Sequence, residues 1–219
     1  MRLLLLRKSL LRHTVTHVLH AGAEIGFQKS RQVLFDTNTV GTAQTLAFAA
    51  GLTELRRFVH ISTAYVAGQK RGLVTEEESP GSAFSSHYEE SKAEAERLVR
   101  ASGLPFSICR PGMIVGDSRT GWVRNFNTIY YVLKQMLLGR MRVFPMGPDT
   151  PLSLVPGDYV ADCVIKIAFS GEAEGKTFHL TCPKESAPVR GNWRSTSGAG
   201  QSKICRSPFQ SLSSFPCPF

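Results

Sequence analysis

The sequence has no apolar run long enough to span a membrane. Leu3–Leu6 is a run of four leucines, far shorter than the roughly 20 residues that cross a bilayer, and too short for the core of a signal peptide. Residues 1–13 are basic and contain no acidic side chain. We expect them to be an irregular or non-native start, and we expect no membrane span.

Cysteine is scarce and shows no pairing pattern. The five cysteines are scattered, without a Cys-x-x-Cys pair and without His or Cys at zinc-ligand spacing. This excludes a zinc site of ordinary spacing and indicates reduced thiols in a cytoplasmic protein. Cys109 and Cys163 lie within apolar runs, so we expect them to pack as small hydrophobic residues.

The net charge of +9 does not indicate a nucleic-acid partner. All 17 acidic residues lie between Glu24 and Glu185, where 18 basic residues leave a net charge of only +1. The excess therefore sits in residues 1–23 and 186–219. A nucleic-acid-binding protein is expected to cluster Lys and Arg on a folded face. Residues 186–219 hold eight Ser, four Pro and three Gly without an apolar period, which predicts a disordered tail.

The middle of the chain alternates strand and helix patterns. Short β-rich runs predict strands at 15–21, 57–62, 105–110 and 177–180. Amphipathic or helix-forming stretches predict helices at 32–51, 86–102, 122–138 and 158–169, and a polar loop at 69–86. This alternation implies an α/β fold with a largely parallel, doubly wound sheet.

Tyr88 and Lys92 carry the clearest chemical signal. Their spacing of four on a predicted helix places both side chains on one face, one turn apart. A neighbouring ammonium favours the phenolate, so we expect Lys92 to lower the pKa of Tyr88 and fit it for proton transfer. The pattern taken alone is also common on surface helices.

Two of the predicted strands end in short motifs that are candidates for a ligand site. Ser62 and Thr63 end one strand, and Pro111-Gly112 ends another. Ligands bind at the carboxyl ends of strands in an open parallel sheet, so these residues are expected to converge with the Tyr88 helix. The simpler alternatives are that the hydroxyls cap the strand end and that Pro111-Gly112 forms a plain turn.

Taken together, the motifs resemble the extended short-chain dehydrogenase/reductase family, which is NAD-dependent epimerase/dehydratase-like and has a Rossmann-like fold. They occur in the family's order: His20-Ala-Gly-Ala, Asn38-x-x-Gly-Thr, His60-Ile-Ser-Thr-Ala-Tyr-Val, Tyr88-x-x-x-Lys and Arg110-Pro-Gly-Met-Ile-Val-Gly. Val155-Pro-Gly-Asp-Tyr-Val is similar to a segment of the branch that holds male-sterility-type fatty acyl reductases and thioester reductase domains. The resemblance covers about residues 15–180.

The resemblance implies a catalytic role for four residues. Tyr88 would be the general acid for carbonyl reduction, and Lys92 would hydrogen-bond the nicotinamide ribose. Thr63 matches the hydroxyl that polarises the substrate, and Ser62, one residue earlier, is the less favoured candidate. The same resemblance implies a cofactor, NADP or NAD, bound by the catalytic residues Ser62, Tyr88 and Lys92 together with His20, Ala21, Gly22, Ala23, Asn38, Pro111, Gly112 and Ile114.

The sequence departs from the family pattern at its start. Members begin with a strand and a glycine-rich turn that holds the pyrophosphate, and only 14 residues precede Val15 here. Gly22-x-x-x-Gly26 matches a later motif. We therefore expect an N-terminally truncated domain over 14–185, with a substrate-binding part at about 117–185, a partial sheet and weakened cofactor binding.

The functional hypothesis is an NAD(P)-dependent oxidoreductase that reduces an acyl-thioester or carbonyl group of a small-molecule or carrier-linked substrate. Sugar-nucleotide epimerases or dehydratases and sterol-type dehydrogenases share the Tyr/Lys pair and stay open as alternatives. A third alternative, of another class, is a truncated and catalytically inactive fragment. Whether the chain is an enzyme, and in which oligomeric state it occurs, stays open at this point.

Overall fold

The computed structural model describes residues 11–26, 29–123, 129–141 and 152–182. The chain divides into two compact units. The first runs to Gly112 and takes up Tyr159–Thr181, and the second comprises Met113–Asp158 and the residues from Cys182 onward. The expected substrate-binding part at 117–185 is thus split, because residues 159–181 return to the first unit.

Six strands and five helices have described bounds. The strands are β1 (His17–His20), β2 (Arg57–Ile61), β3 (Phe106–Pro111), β4 (Met113–Val115), β5 (Leu154–Pro156) and β6 (Thr177–Leu180). The helices are α1 (Arg31–Phe35), α2 (Gly41–Ala50), α3 (His87–Ala101), α4 (Ile129–Leu137) and α5 (Gly157–Phe169), with a π-helical segment at Asp36–Val40 between α1 and α2.

A four-stranded parallel sheet forms the first unit. Its order is β1-β2-β3-β6, and every neighbouring pair is parallel. Helices connect the strands, so the α/β Rossmann-like fold expected from the sequence is confirmed. Within the described residues, β1 lies at one edge of this sheet.

The hydrophobic core of the first unit lies between the sheet and helices α2 and α3. Phe58 and Ile108 from the sheet are fully buried and cluster with Leu46, Ala49 and Val99 from the helices. Each large apolar side chain buried in this way contributes about 1.5–3 kcal/mol. Cys109 and Cys163 are buried free thiols, as expected.

Helix α3 has well-defined ends, which fix the position of Tyr88. The hydroxyl of Ser86 accepts a hydrogen bond from the backbone N–H of Glu89 at 3.3 Å. Glu89 and Glu90 place negative charge in the first turn, where it interacts favourably with the helix dipole. Gly103 follows the helix with φ of +69°, a conformation that glycine adopts without strain.

Several predicted boundaries differ from the structure. The helix expected at 122–138 begins at Ile129: residues 121–123 are not helical, and 124–128 lie outside the described part. Pro111, expected to follow the strand at 105–110, is instead its last residue and pairs with Leu180, a place where a residue without an N–H is tolerated. Residues 11–13, expected to be irregular, belong to a helical stretch at 11–14.

The second unit has its own small sheet and core. Strands β4 and β5 pair in parallel, and Ile129 and Leu152 are buried among partly buried side chains of the same unit. A Cβ on Gly116 would lie 2.8 Å from the carbonyl oxygen of Trp122, so only glycine fits there. The sequence did not predict this two-stranded sheet.

No helix in the described part of the chain combines the length and the apolar character needed for a membrane span. Residues 1–10 and 183–219 lie outside the described part of the chain. They include most of the segment 1–13 and all of the tail predicted at 186–219.

Candidate active site

The carboxyl end of β2 meets the first two turns of α3, and this contact brings the predicted catalytic residues together. The side chain of Thr63 is hydrogen-bonded to the phenol of Tyr88. One turn further along α3, the ammonium of Lys92 donates a hydrogen bond to the carbonyl oxygen of Ile61 at 2.7 Å. Tyr88 and Lys92 on the helix therefore lie at the end of β2, as the sequence predicted.

The phenol of Tyr88 is protonated at neutral pH. Burial raises its pKa to about 12, against the hydrogen bond from Thr63, which lowers it. The expectation that Lys92 would lower this pKa below its ordinary value is wrong for this structure, because desolvation of the phenolate outweighs the favourable contacts. A buried phenol that keeps its proton is suited to donate that proton to an oxygen atom that gains negative charge.

Lys92 lies one helical turn after Tyr88 in α3 and carries a buried ammonium group. Its side chain is almost fully buried, and burial lowers its pKa to about 8, against the charge of Glu96, which raises it. At neutral pH the group is mostly charged. That this positive charge stabilises a phenolate on Tyr88 during proton transfer stays a prediction.

Ser62 and Thr63 contact different residues of α3. Thr63 faces Tyr88, whereas the hydroxyl of Ser62 donates to a carboxylate oxygen of Glu96 at 2.9 Å inside the core. Both residues are buried. The catalytic roles of Thr63 and Ser62 stay predictions.

Asn38 is fully buried in the π-helical segment and joins two other elements. Its amide oxygen accepts from the backbone N–H of Glu24 at 2.8 Å, and its amide nitrogen donates to the carbonyl oxygen of Glu24 at 3.0 Å and to the hydroxyl of Ser91 at 2.9 Å. Asn38 thus holds the loop after β1 against α3. Its direct contact with a cofactor stays a prediction.

The other predicted cofactor residues lie at strand ends. His20 ends β1 and its ring hydrogen-bonds Thr42 at 2.9 Å, while Ala21, Gly22 and Ala23 follow it with exposed, small side chains. Pro111 and Gly112 are buried at the end of β3. Ile114 is about half exposed and belongs to the second unit. The cofactor roles of all these residues stay predictions.

Sequence reasoning missed Glu96, which is fully buried under the site. Its carboxylate accepts two hydrogen bonds from the guanidinium of Arg110, at 2.6 and 3.1 Å. The available signal was its spacing: Glu96 follows Tyr88 and Lys92 by further steps of four, on the same face of the helix.

The sequence assigned no role to His60, which begins the motif at the end of β2. It is fully buried on β2 and stacks on His20 with ring centroids 5.5 Å apart. Burial and the charge of Lys92 hold its pKa well below the ordinary value, so the ring is neutral at neutral pH. Neither ring nitrogen has a hydrogen-bond partner among the described residues.

The chain matches a known protein family and is similar to curated relatives. A model of the family described as male sterility protein matches residues 7–164. Among curated relatives, the chain is 28% identical over 186 residues to the aldehyde reductase lnbA of Aspergillus flavus. It is 27% identical over 222 residues to the alcohol-forming fatty acyl-CoA reductase of Simmondsia chinensis.

Comparison with solved structures supports the fold. The terminal R domain from the myxalamid PKS-NRPS biosynthetic pathway is 32% identical, with a TM-score of 0.68 over 76% of this chain and 43% of that domain. The UDP-glucuronic acid 4-epimerase from Bacillus cereus, solved with UDP-glucuronic acid and NAD, is 22% identical, with a TM-score of 0.65 over 80% of this chain and 56% of the epimerase. The epimerase likeness is one of fold.

The chain spans only part of these relatives. The match uses 78% of this chain but 18% of the Aspergillus protein, and 74% of this chain but 45% of the Simmondsia protein.

Proposed function

The chain belongs to the male sterility protein family, and on that basis we propose that it contributes the proton-transfer half of a nicotinamide-dependent reductase of thioester or carbonyl substrates. The observation that carries the proposal is the protonated, buried phenol of Tyr88, hydrogen-bonded to Thr63. A phenol in this state serves a reduction, in which an oxygen atom must receive a proton. Two curated relatives are named as reductases, which also supports a reduction.

The residues present fit a nicotinamide cofactor. The ammonium of Lys92 has three N–H donors, and the carbonyl oxygen of Ile61 accepts one of them. The exposed backbone of Ala21, Gly22 and Ala23 lies at the carboxyl end of β1, where ligands bind to parallel sheets, and a Cβ on Gly22 would meet nothing closer than 3.7 Å. We propose that Lys92 and these three residues hold the cofactor, NADP or NAD.

The chemistry divides between cofactor and protein. A bound nicotinamide supplies a hydride for the carbonyl carbon. Tyr88 donates its phenolic proton to the carbonyl oxygen as that oxygen becomes negative, and the hydroxyl of Thr63 stays at hydrogen-bonding distance of the phenol. The ammonium of Lys92 stabilises the phenolate that remains on Tyr88. With a thioester substrate the product of this step is a hemithioacetal, whose C–S bond breaks to release the aldehyde and the free thiol. The proton on Tyr88 is then restored from solvent.

The substrate assignment rests on the relatives. The Simmondsia relative is named as a fatty acyl-CoA reductase, and the myxalamid domain terminates a PKS-NRPS pathway. We propose a thioester, carried either by a small thiol or by a carrier protein, as the substrate of the protein that contains this chain. A cytoplasmic location, expected from the cysteine pattern, stays a prediction.

The substrate test uses the protein with acyl-thioesters and, separately, UDP-sugars, and follows the absorbance of the reduced cofactor. We expect oxidation of NADPH or NADH with acyl-thioesters and no conversion of UDP-sugars. Turnover of a UDP-sugar without net consumption of cofactor would contradict the reductase proposal and favour the epimerase alternative.

A second measurement tests the cofactor directly, without turnover. Titration calorimetry of the 219-residue chain with NADPH and with NADH is expected to give a saturable heat with at least one of them. A Lys92→Met variant is expected to bind more weakly, because it loses the buried donor. Absence of heat with both cofactors would favour the inactive-fragment alternative.

A further inference from the structure

Three consecutive residues at the end of β2 each bind the same face of α3. The carbonyl oxygen of Ile61 accepts from Lys92 at 2.7 Å. The hydroxyl of Ser62 donates to Glu96 at 2.9 Å, and the hydroxyl of Thr63 is bonded to Tyr88. The strand end that carries the substrate-facing hydroxyl is therefore held by the helix that carries the proton donor.

Glu96 is the deepest of these three helix contacts. Its carboxylate is fully buried and accepts hydrogen bonds from Arg110 at 2.6 and 3.1 Å and from Arg100 at 2.9 and 3.2 Å. Desolvating a carboxylate costs several kcal/mol unless such partners compensate. Replacing the buried pair of Glu96 and Arg110 together by apolar residues of similar volume is often neutral or stabilising, so packing alone does not explain why the pair is there.

We propose that Glu96 is a positioning residue of the candidate site: its carboxylate fixes the end of β2, and with it Thr63, against Tyr88, and it keeps the neighbouring Lys92 ammonium charged. This inference rests on the proposed function of Tyr88 and Lys92. It adds to that function a buried anion that makes no contact with the reacting atoms.

The charge of the Lys92 ammonium depends on three ionisable groups near it, Glu96, His60 and His20. On its own helix Glu96 raises the pKa of Lys92, against burial, which lowers it to about 8. From the neighbouring strands His60 and His20 face the ammonium, and the pKa of each is lowered, so both rings are neutral at neutral pH. Of these groups, Glu96 supplies the negative charge.

Ser62 connects the carboxylate of Glu96 to the end of β2. Its hydroxyl proton is committed to Glu96, and its backbone N–H donates to the carbonyl oxygen of Cys109 at 2.8 Å. Ser62 is thus fixed on both sides, and Thr63 follows it directly. Small displacements of a reacting group reduce rate steeply, by up to about 100-fold for 1 Å.

The test is Glu96→Gln in the full chain, read first by an NMR titration of the Lys92 side chain. We expect the titration midpoint to fall, because the amide carries no charge and the guanidinium groups of Arg110 and Arg100 lose their counter-charge. The alkaline limb of the kcat profile should move to lower pH by the same amount, with KM little changed. The matched control is Glu94→Gln on the same helix, whose partly exposed partner is Arg97; it should move neither readout.

An unchanged Lys92 midpoint in Glu96→Gln would overturn the charge role, whether or not the protein reduces any substrate. Should Glu96→Gln fail to fold, Ser62→Ala decides, because it removes only the hydroxyl that ties the strand end to Glu96. We expect kcat to fall about tenfold at constant KM, and the amide of Thr63 to exchange hydrogen faster. Unchanged exchange at Thr63 in Ser62→Ala would overturn the positioning role independently of turnover.

Discussion

Replacing Tyr88 by phenylalanine is expected to abolish most turnover while leaving the fold and cofactor binding in place. The variant keeps the buried ring and removes the hydroxyl that donates the proton, so kcat should fall about 10²–10⁴-fold, the usual contribution of a general acid. The loss of its hydrogen bond with Thr63 should cost only about 1 kcal/mol of stability. Steady-state kinetics and cofactor titration of the same preparation measure both effects.

The matched control for this experiment is Tyr131→Phe. Tyr131 is 55% exposed on α4, so the same chemical change there should alter neither kcat nor stability appreciably. A Tyr88→Phe variant that keeps kcat within about threefold of the parent would remove Tyr88 from the mechanism. The reductase proposal would then lose the observation that carries it.

Replacing Arg110 by methionine is expected to give the largest loss of stability. Arg110 is 1% exposed and makes the shortest contact to Glu96, at 2.6 Å. It also donates to the carbonyl oxygen of Glu78 at 2.8 Å. Removing one partner of a buried ion pair leaves the other charge poorly compensated, at a cost of about 3–5 kcal/mol. Because Arg100 remains bonded to Glu96, we expect the lower end of this range.

Urea unfolding of Arg110→Met, followed by circular dichroism, measures this free energy. Arg97→Met is the control, because Arg97 lies on the same helix as Glu96 but is 42% exposed in its pair with Glu94. Exposed pairs contribute about 0–1 kcal/mol. Equal unfolding free energies for the two variants would show that the buried network does not stabilise the domain in the way its geometry indicates.

The elements and the order of motifs were accessible from the sequence because they depend on local patterns. The helix at Ser86–Ser102 was predicted within one residue at each end, since its capping serine, its acidic first turn and its terminal glycine are all local signals. The placement of Tyr88 and Lys92 on one face also follows from helical spacing alone. Predictions failed where tertiary contacts decide: the single helix expected at 32–51 contains a π-helical segment at Asp36–Val40, where the buried Asn38 bonds groups of two other elements.

The electrostatics of the site were not accessible in the same way. The sequence indicated that Lys92 would lower the pKa of Tyr88, but burial raises that pKa to about 12. The degree of burial depends on packing among β2, α3 and the loop after β1, which no local pattern specifies. The same holds for Asn38, whose side chain proved to join the loop at Glu24 to Ser91.

The sequence by itself determined the family, the parallel α/β arrangement and the Tyr88/Lys92 pair, because each depends on residues at short, regular spacing. Only the tertiary structure showed which residues of α3 Thr63 and Ser62 contact, and only it disclosed the buried Glu96. Both hydroxyls meet the same helix, and which helix residue each of them contacts depends on how strand and helix pack. The buried carboxylate of Glu96 is compensated by Arg110 from β3 and Arg100 from α3, and the packing of strand against helix brings both guanidinium groups to it.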